Sequence, residues 1–367
     1  MASAKREVFE LSAKGIDIRL DLSVGHIAQF VVSKWGSSIA PFHRAPWADA
    51  PITNSSKRFP PHLESLSIDF LCAPFGRSDV EPAPDHGWSA NAEWVPIGLD
   101  DFGDGKTASF ELCRKILGAT VVKKLTVRHG HPFLYQSHQF SGGSGSLPIA
   151  YHAMVDLPQG AAISVSPKVM ARTADVPLEL DPLSGSSLLS YPATSERLDR
   201  FPTRDGTHVD LLTYPLGEGQ VDLVMLLERH DNAIGWTIAA RPMEGDMAIV
   251  LKSPKEMPTT VFWYSNGGRL YEPWNGRHKG VLGIEEARTY FSAGHAASQM
   301  PNDLSTAGYP TTFTLGDELQ IRSVLGACPL FGRSNKYRSV DRHNDHLSLV
   351  NDDGSVMELP FDCNFLD

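Results

Sequence analysis

Between Ala108 and Phe140 the chain carries three strand-like segments with no room between them for a helix. Ala108, Phe110 and Leu112 alternate with Ser109, Glu111 and Cys113, the period of a strand with one buried face. Val121–Arg128 follows, then the turn His129-Gly130-His131-Pro132, then Phe133–Phe140. Parallel neighbours need a crossover of a dozen or more residues, so connections this short dictate an antiparallel meander. Ile163–Ala171, Val221–Arg229, Met247–Lys252 and Thr259–Ser265 read as further strands, and Leu347–Val350 and Ser355–Leu359 flank the hairpin turn Asn351-Asp352-Asp353-Gly354. The 31 glycines and 26 prolines are spread along the chain rather than massed in a linker, as many short strands require. Only Pro61–Phe70 and Glu285–Ala297 have room for one or two helical turns, and Ser186–Thr207, with little periodicity, reads as a long surface loop. The expected fold class is all-β: a large antiparallel β-sandwich, with one core or two fused sandwiches, read as a single domain over residues 1–367.

Charge and apolar patterning remove several functions. The formal net charge is −10, and the basic residues form no run longer than pairs such as Lys123-Lys124, so nucleic acid and anionic membrane are not expected partners. The longest apolar runs, such as Val224–Leu227, fall far short of the roughly 20 residues that span a bilayer. Cys72, Cys113, Cys328 and Cys363 form no CxxC pair, and Met1–Gly15 holds no apolar signal core, which leads us to expect reduced thiols, no disulfide and a cytoplasmic location. No Gly-rich phosphate loop, GxSxG elbow or HExxH helix is present.

Three segments concentrate chemistry-bearing side chains. Ala73–Ile97 packs Arg77, His86, Trp88 and Asn91 between four prolines. Sugars offer hydroxyls to Arg, Asn and His and an apolar C–H face to Trp, so this composition suits a sugar-binding edge and equally an ordinary polar loop. In Leu147–Pro158, His152 sits inside an apolar run, where a histidine is either a packed core residue or, facing a pocket, a proton-transfer group. Val261–Tyr290 crowds Trp263, Tyr264, Tyr271 and Trp274 near Arg269, Arg277 and His278, and then reaches Glu285-Glu286 at the end of the strand Gly280–Ile284. Adjacent strand residues point to opposite faces, so at most one of these glutamates can face a given cavity.

Taken in order, the three segments resemble the galactose mutarotase-like family, the aldose 1-epimerases and their relatives, over about residues 20–325. PFGR followed by DHGWSANAEW is similar to the family's Arg-containing turn and histidine loop, PIAYHAMVDLP to the strand of its second histidine, and VLGIEE to its hydrophobic-Glu segment. The resemblance implies the large sandwich of that family, no cofactor and no metal. It also implies a monosaccharide or sugar derivative as ligand and leaves a homodimer open. Residue by residue, it makes His152 the acid toward the ring oxygen and Glu285 the base for the anomeric hydroxyl. Arg77 and His86 become sugar contacts, and Asp222, in VDLVMLL, the third acidic residue, with Asp231 as the fallback. Trp88 stands where the family usually has Phe, and Ala-Met-Val-Asp-Leu follows His152 where it has aromatic-Asn-Leu, so the sugar is not specified. The tail from about residue 329 to 367, with Arg342-His343-Asn344-Asp345-His346, has no counterpart in the resemblance and reads as a solvated hairpin.

Mutarotation breaks and re-forms the ring C–O bond, with one group taking the anomeric proton while another protonates the ring oxygen. A carboxylate and an imidazole suffice. The sequence leaves open a non-catalytic carbohydrate-binding or sensing protein, and a lyase or hydrolase of modified glycosides on the same scaffold.

Overall fold

The computed structural model describes residues 7–49 and 59–367. Two large antiparallel sheets face each other. The seven-stranded sheet runs in the order Thr194–Ser195, Lys168–Arg172, Gln220–Glu228, Thr259–Asn266, Val281–Arg288, Ile149–Asp156 and Leu71–Cys72. The nine-stranded sheet runs from Thr213–Tyr214 through Ala161–Val165, Gly235–Arg241, Asp246–Lys252, Glu318–Pro329, Phe133–Ser141, Thr120–Arg128 and Gly105–Leu112 to Trp94–Asp101. The expected three-strand meander is Gly105–Leu112, Thr120–Arg128 and Phe133–Ser141, paired in sequence order, and Trp94–Asp101 adds a strand at its edge.

Strand alternation sorts the side chains into layers. Leu134, Ala248, Val250, Leu325 and Ala327 of the nine-stranded sheet meet Val155, Leu226, Phe262 and Ile284 of the seven-stranded sheet in one large core. The nine-stranded sheet is apolar on its other face as well: Tyr135, Trp236, Ile238, Ile249 and Val324 point away from that core. The C-terminal sheet, Tyr337–Arg342, His346–Asn351 and Val356–Pro360, covers them with Val340, Leu347, Leu349 and Leu359. The tail is therefore a packed third layer rather than a solvated hairpin. Its turn does stay at the surface, with His343 and His346 stacked at 4.5 Å.

Three local expectations are corrected. Ile163–Ala171 is two strands in different sheets, broken at Ser166-Pro167, where proline offers no N–H to a ladder and the Ser166 hydroxyl is bound to Glu228. Glu285–Ala297 is not helical at its start: Val281–Arg288 continues as a strand paired on both sides, and the helix is only His295–Gln299. Ser186–Thr207 buries Leu189, Phe201 and Thr203, so it is a cover for the core's edge as well as a surface loop. Helix Pro61–Glu64 lies within the expected segment, and all four cysteines are free thiols.

The layer argument is testable. Leu349 is fully buried between the C-terminal and nine-stranded sheets. Leu349→Ala should lower stability in chemical denaturation by about 2–5 kcal/mol, the range for a buried leucine truncation. A loss below about 0.5 kcal/mol, typical of surface positions, would place the tail outside the packed structure.

Candidate functional site

On the outer face of the seven-stranded sheet, Ile149–Asp156 and Val281–Arg288 pair so that His152 lies directly opposite Glu285. Both strands send their other parity, Tyr151 and Ala153, Leu282 and Ile284, into the core. His152 Nε2 and Glu285 Oε1 are 3.2 Å apart, with side chains almost fully buried. They stand at the base of a cleft of about 340 Å³ also lined by His62, Arg77, His86, Trp263, Arg269 and Trp274. Glycine at 283 leaves room for Trp263: a Cβ there would lie 2.9 Å from the Trp263 Cβ.

The imidazole is held from several sides. Phe70 stacks on His152 at 4.6 Å and on His26, behind it, at 4.1 Å. Trp263 meets the His152 ring edge-on at 5.6 Å. The His152 backbone N–H donates to Asp69 Oδ1 at 2.8 Å, and Gln136, from the opposite sheet, donates to Asp69 Oδ2 at 2.6 Å. Asp69 therefore braces the His152 strand against the second sheet. Burial pushes its carboxyl up to about 6. Facing His152, the His86 ring lies at 5.7 Å. His86 has φ 66°, a left-handed conformation that costs a non-glycine residue about 1–3 kcal/mol and clusters at functional sites. Gly87 permits the turn, since a Cβ there would lie 1.9 Å from the Ala73 carbonyl oxygen.

Desolvation dominates the electrostatics. It raises Glu285 to about 8, opposed only by the Arg269 charge, and lowers His152 to about 3. Burial thus disfavours the charged form of both groups and biases the pair's proton toward the carboxyl. Arg269 is fixed by its Nε bond to Glu179 at 2.8 Å and lies over the Trp274 ring at 4.7 Å. His152 Nδ1, Glu285 Oε2 and His86 Nδ1 are buried with no hydrogen-bond partner among the described residues. Unpaired buried polar atoms are costly, and clustered at one cleft they mark where a polar ligand would repay that cost.

The structure brings four of the seven expected site residues, His152, Glu285, Arg77 and His86, to this cleft. The exposed Arg77 stands at the rim, donating to the Ala293 carbonyl at 2.9 Å. The other three lie elsewhere. Asp222 faces inward, because its parity on Gln220–Glu228 is that of Val224 and Leu226 in the core. Its carboxylate accepts the Leu188 and Leu189 backbone N–H groups and the Tyr191 hydroxyl, so it anchors the 186–207 segment. Leu223, of the opposite parity, occupies the cleft wall. Asp231 is exposed and paired with Arg229. Asn91 sits behind the wall: its amide donates to the Asp85 and Gly87 carbonyls and its oxygen accepts the His62 backbone N–H, which holds the histidine loop. Trp88 packs under Arg114 at 5.2 Å, away from the cleft. Glu286 points into the sandwich, where Thr260 donates to it at 2.7 Å and Lys252 pairs with it. The site list from sequence omitted His62, Phe70 and Arg269. The aromatic-rich 261–290 segment signalled Arg269, and nothing local distinguished His62.

No three His, Cys, Asp or Glu side chains among the described residues form a metal-binding group, and no helix there is long and apolar enough to cross a membrane. No family model matches the sequence. No curated protein matches it. Solved structures do. A candidate aldose 1-epimerase from Escherichia coli K12 is 12% identical with a TM-score of 0.57, covering 89% of this chain and all (100%) of its own. A galactose mutarotase-like protein from Clostridium acetobutylicum gives 12% and 0.57, covering 89% of this chain and 96% of its own. A galactose mutarotase-like protein from Lactobacillus casei gives 12% and 0.53, with 88% and 100% covered. The chain has the galactose mutarotase-like fold. Within that fold the His152–Glu285 pair lies on the outer face of the seven-stranded sheet, opposite the face that packs into the core.

Burial of the Glu285 carboxyl has a measurable cost. Its proton leaves near 4.5 in an unfolded chain and near 8 in the folded one, so the unfolded state sheds it first and stability falls as pH rises through that interval. Glu285→Gln removes this slope. The variant's stability relative to the parent protein should rise between pH 5 and pH 9 by at least about 1 kcal/mol in denaturant titrations. A pH-independent difference would show that the carboxyl is not desolvated.

Proposed function

We propose that the protein is an aldose 1-epimerase-type isomerase that interconverts the anomers of a sugar or sugar derivative, with His152 and Glu285 as its proton-transfer pair. The observation that carries this reading is the 3.2 Å approach of His152 Nε2 to Glu285 Oε1 at the base of an aromatic- and arginine-lined cleft. The two oxygens that exchange protons in mutarotation are bonded to the same carbon. A matching acid and base must therefore be near neighbours facing one side of the sugar, as two directly opposed residues on adjacent strands are.

The electrostatics reverse the starting roles that the resemblance implies. With Glu285 protonated and His152 neutral, the carboxyl gives its proton to the ring oxygen as the C1–O bond breaks, and the imidazole takes the proton of the anomeric hydroxyl. The open aldehyde rotates about C1–C2. Closure on the other face returns the proton from imidazolium to O1 and moves the former ring-oxygen proton back to the carboxylate. One proton on the pair is needed at the start of each half-cycle, and each transfer is typically worth about 10²–10⁴-fold. Trp263 and Trp274 line the cleft beside the pair, while Arg77 and Arg269 offer charge-assisted bonds to hydroxyls or an anionic substituent.

His152→Asn and Glu285→Gln should each slow equilibration of a pure anomer by at least about 10²-fold, followed by polarimetry or NMR over hexoses, pentoses and uronic acids. The double variant should lose less than the product of the two, because the residues act on one coupled step. Unchanged rates in both single variants would end the assignment. No acceleration by the parent protein on any sugar would favour a non-catalytic carbohydrate-binding role.

The pH dependence separates this pair from an unperturbed one. An ordinary Glu–His pair holds one proton between roughly pH 4.3 and 6.5. Here the window extends from about 3 to about 8. The alkaline limb of kcat/KM should fall tenfold per pH unit with its midpoint near 8. A midpoint near 6.5 would mean the free site is hydrated and the imidazolium is the acid.

A further inference from the structure

The cleft continues past the pair. Strand pairing sets His152 opposite Glu285, Glu285 opposite Val261, and Val261 opposite Met225, so these four side chains form one row across the outer face of the sheet. Adjacent strands are about 4.8 Å apart, which puts Met225 about 10 Å from Glu285 along the row. The first half of the row is ionisable and the second half is aliphatic. The next row, Met154, Gly283, Trp263 and Leu223, carries no ionisable group.

The aliphatic half, Val261 and Met225, lies almost fully buried beneath a second hollow of about 450 Å³, lined by Val176, Leu180 and Phe291 together with Asp175 and Tyr290. It shares Arg77, Leu178, Leu223 and Ser292 with the first cleft, so the two adjoin as a trough with these residues between them. Val176 and Leu180 are 56% and 73% exposed although apolar. Phe291 is held in a left-handed backbone conformation, φ 49°, at the trough wall.

A free monosaccharide bears a hydroxyl on nearly every carbon. Laying such a surface against Val176 and Leu180 would strip its water and give no hydrogen bond in return. An alkyl or acyl chain gains there instead, by about 25 cal/mol per Å² of apolar surface covered. We infer that the trough takes an amphiphilic aldose: its anomeric carbon lies at the His152–Glu285 pair, and an acyl or alkyl group on a hydroxyl remote from C1 lies against Val176 and Leu180, above Val261 and Met225. This rests on the mutarotase reading for the sugar end and on the sheet's row of side chains for the apolar end.

The test is a chain-length series. The 4-O- and 6-O-acyl esters of glucose, galactose and mannose, from acetyl to octanoyl, are each compared with the parent aldose. Anomer exchange is measured by NMR, and binding by the fluorescence of the cleft residues Trp263 and Trp274. In at least one series kcat/KM should rise on the order of threefold per methylene and level off once the chain has crossed Met225. In the double variant Val176→Asp, Leu180→Asp, the ratio of kcat/KM for the hexanoyl ester to that for its parent should fall toward one. Turnover of a parent aldose with a flat series overturns the amphiphilic substrate and leaves mutarotation standing. If no sugar is turned over, the mutarotase reading fails by itself, and the binding series decides: tightening with chain length upholds the apolar trough, and flat affinities overturn it. A gain undiminished in the double variant would place the chain elsewhere and refute this location.

Discussion

Two adjacent glutamates on one strand set the geometry on which the site depends. Alternation sends Glu285 and Glu286 to opposite faces of Val281–Arg288. Glu286 enters the sandwich, where it joins Lys252, Glu228 and Lys168 in a chain of buried, mutually paired charges. Two cations and two anions leave this chain neutral, and Ser166, Thr260 and Asn232 supply further hydrogen bonds. Gly235 lets Lys252 pass, since a Cβ there would lie 2.7 Å from its side chain. Buried ion pairs add little net stability but strongly penalise arrangements that break them. A one-residue slip of this strand would turn Leu282 and Ile284 out of the core and take Glu285 away from His152. The inward apolar residues, with the internal salt-bridge chain beside them, therefore hold the register that puts Glu285 opposite His152.

Desolvation then gives the pair its chemistry. The walls that exclude water are the same groups that orient the imidazole: Phe70 and Trp263 on the ring, and Asp69 through the backbone. A hydrated carboxylate and imidazole would be matched to acid pH. Burial moves the two values apart and widens the range over which the pair holds one proton. Arg269, tethered by Glu179, limits how far Glu285 rises. The cost is borne by the fold, whose layers include a C-terminal sheet covering the outer face of the larger main sheet.

Much of this was legible in the sequence because period and spacing are local. The short connections around 108–140 predicted an antiparallel sheet, and His152 inside an apolar run and Glu285 before Glu286 were picked out by the ordered segments. What was illegible depends on which face a strand turns inward. Asp222 has the residue type and neighbourhood of a site acid, yet its parity matches Val224 and Leu226, and it anchors a loop instead. Asn91 and Trp88 lie in the right loop but support it from behind. His62 carries no pattern of its own, and at the cleft its backbone N–H is held by Asn91, far from it in sequence. The tail read as polar hairpin because nothing in its own sequence reveals that the sheet beneath it is apolar on both faces.

The central claim is that a buried carboxyl at Glu285 holds the pair's proton beside a neutral His152. Infrared difference spectroscopy of the parent protein against Glu285→Gln isolates that single group. The account predicts a protonated carboxyl band at pH 7 that converts to a carboxylate band with a midpoint near pH 8. A carboxylate signal already complete at pH 6 would contradict it, and would return Glu285 to the role of an ionised base.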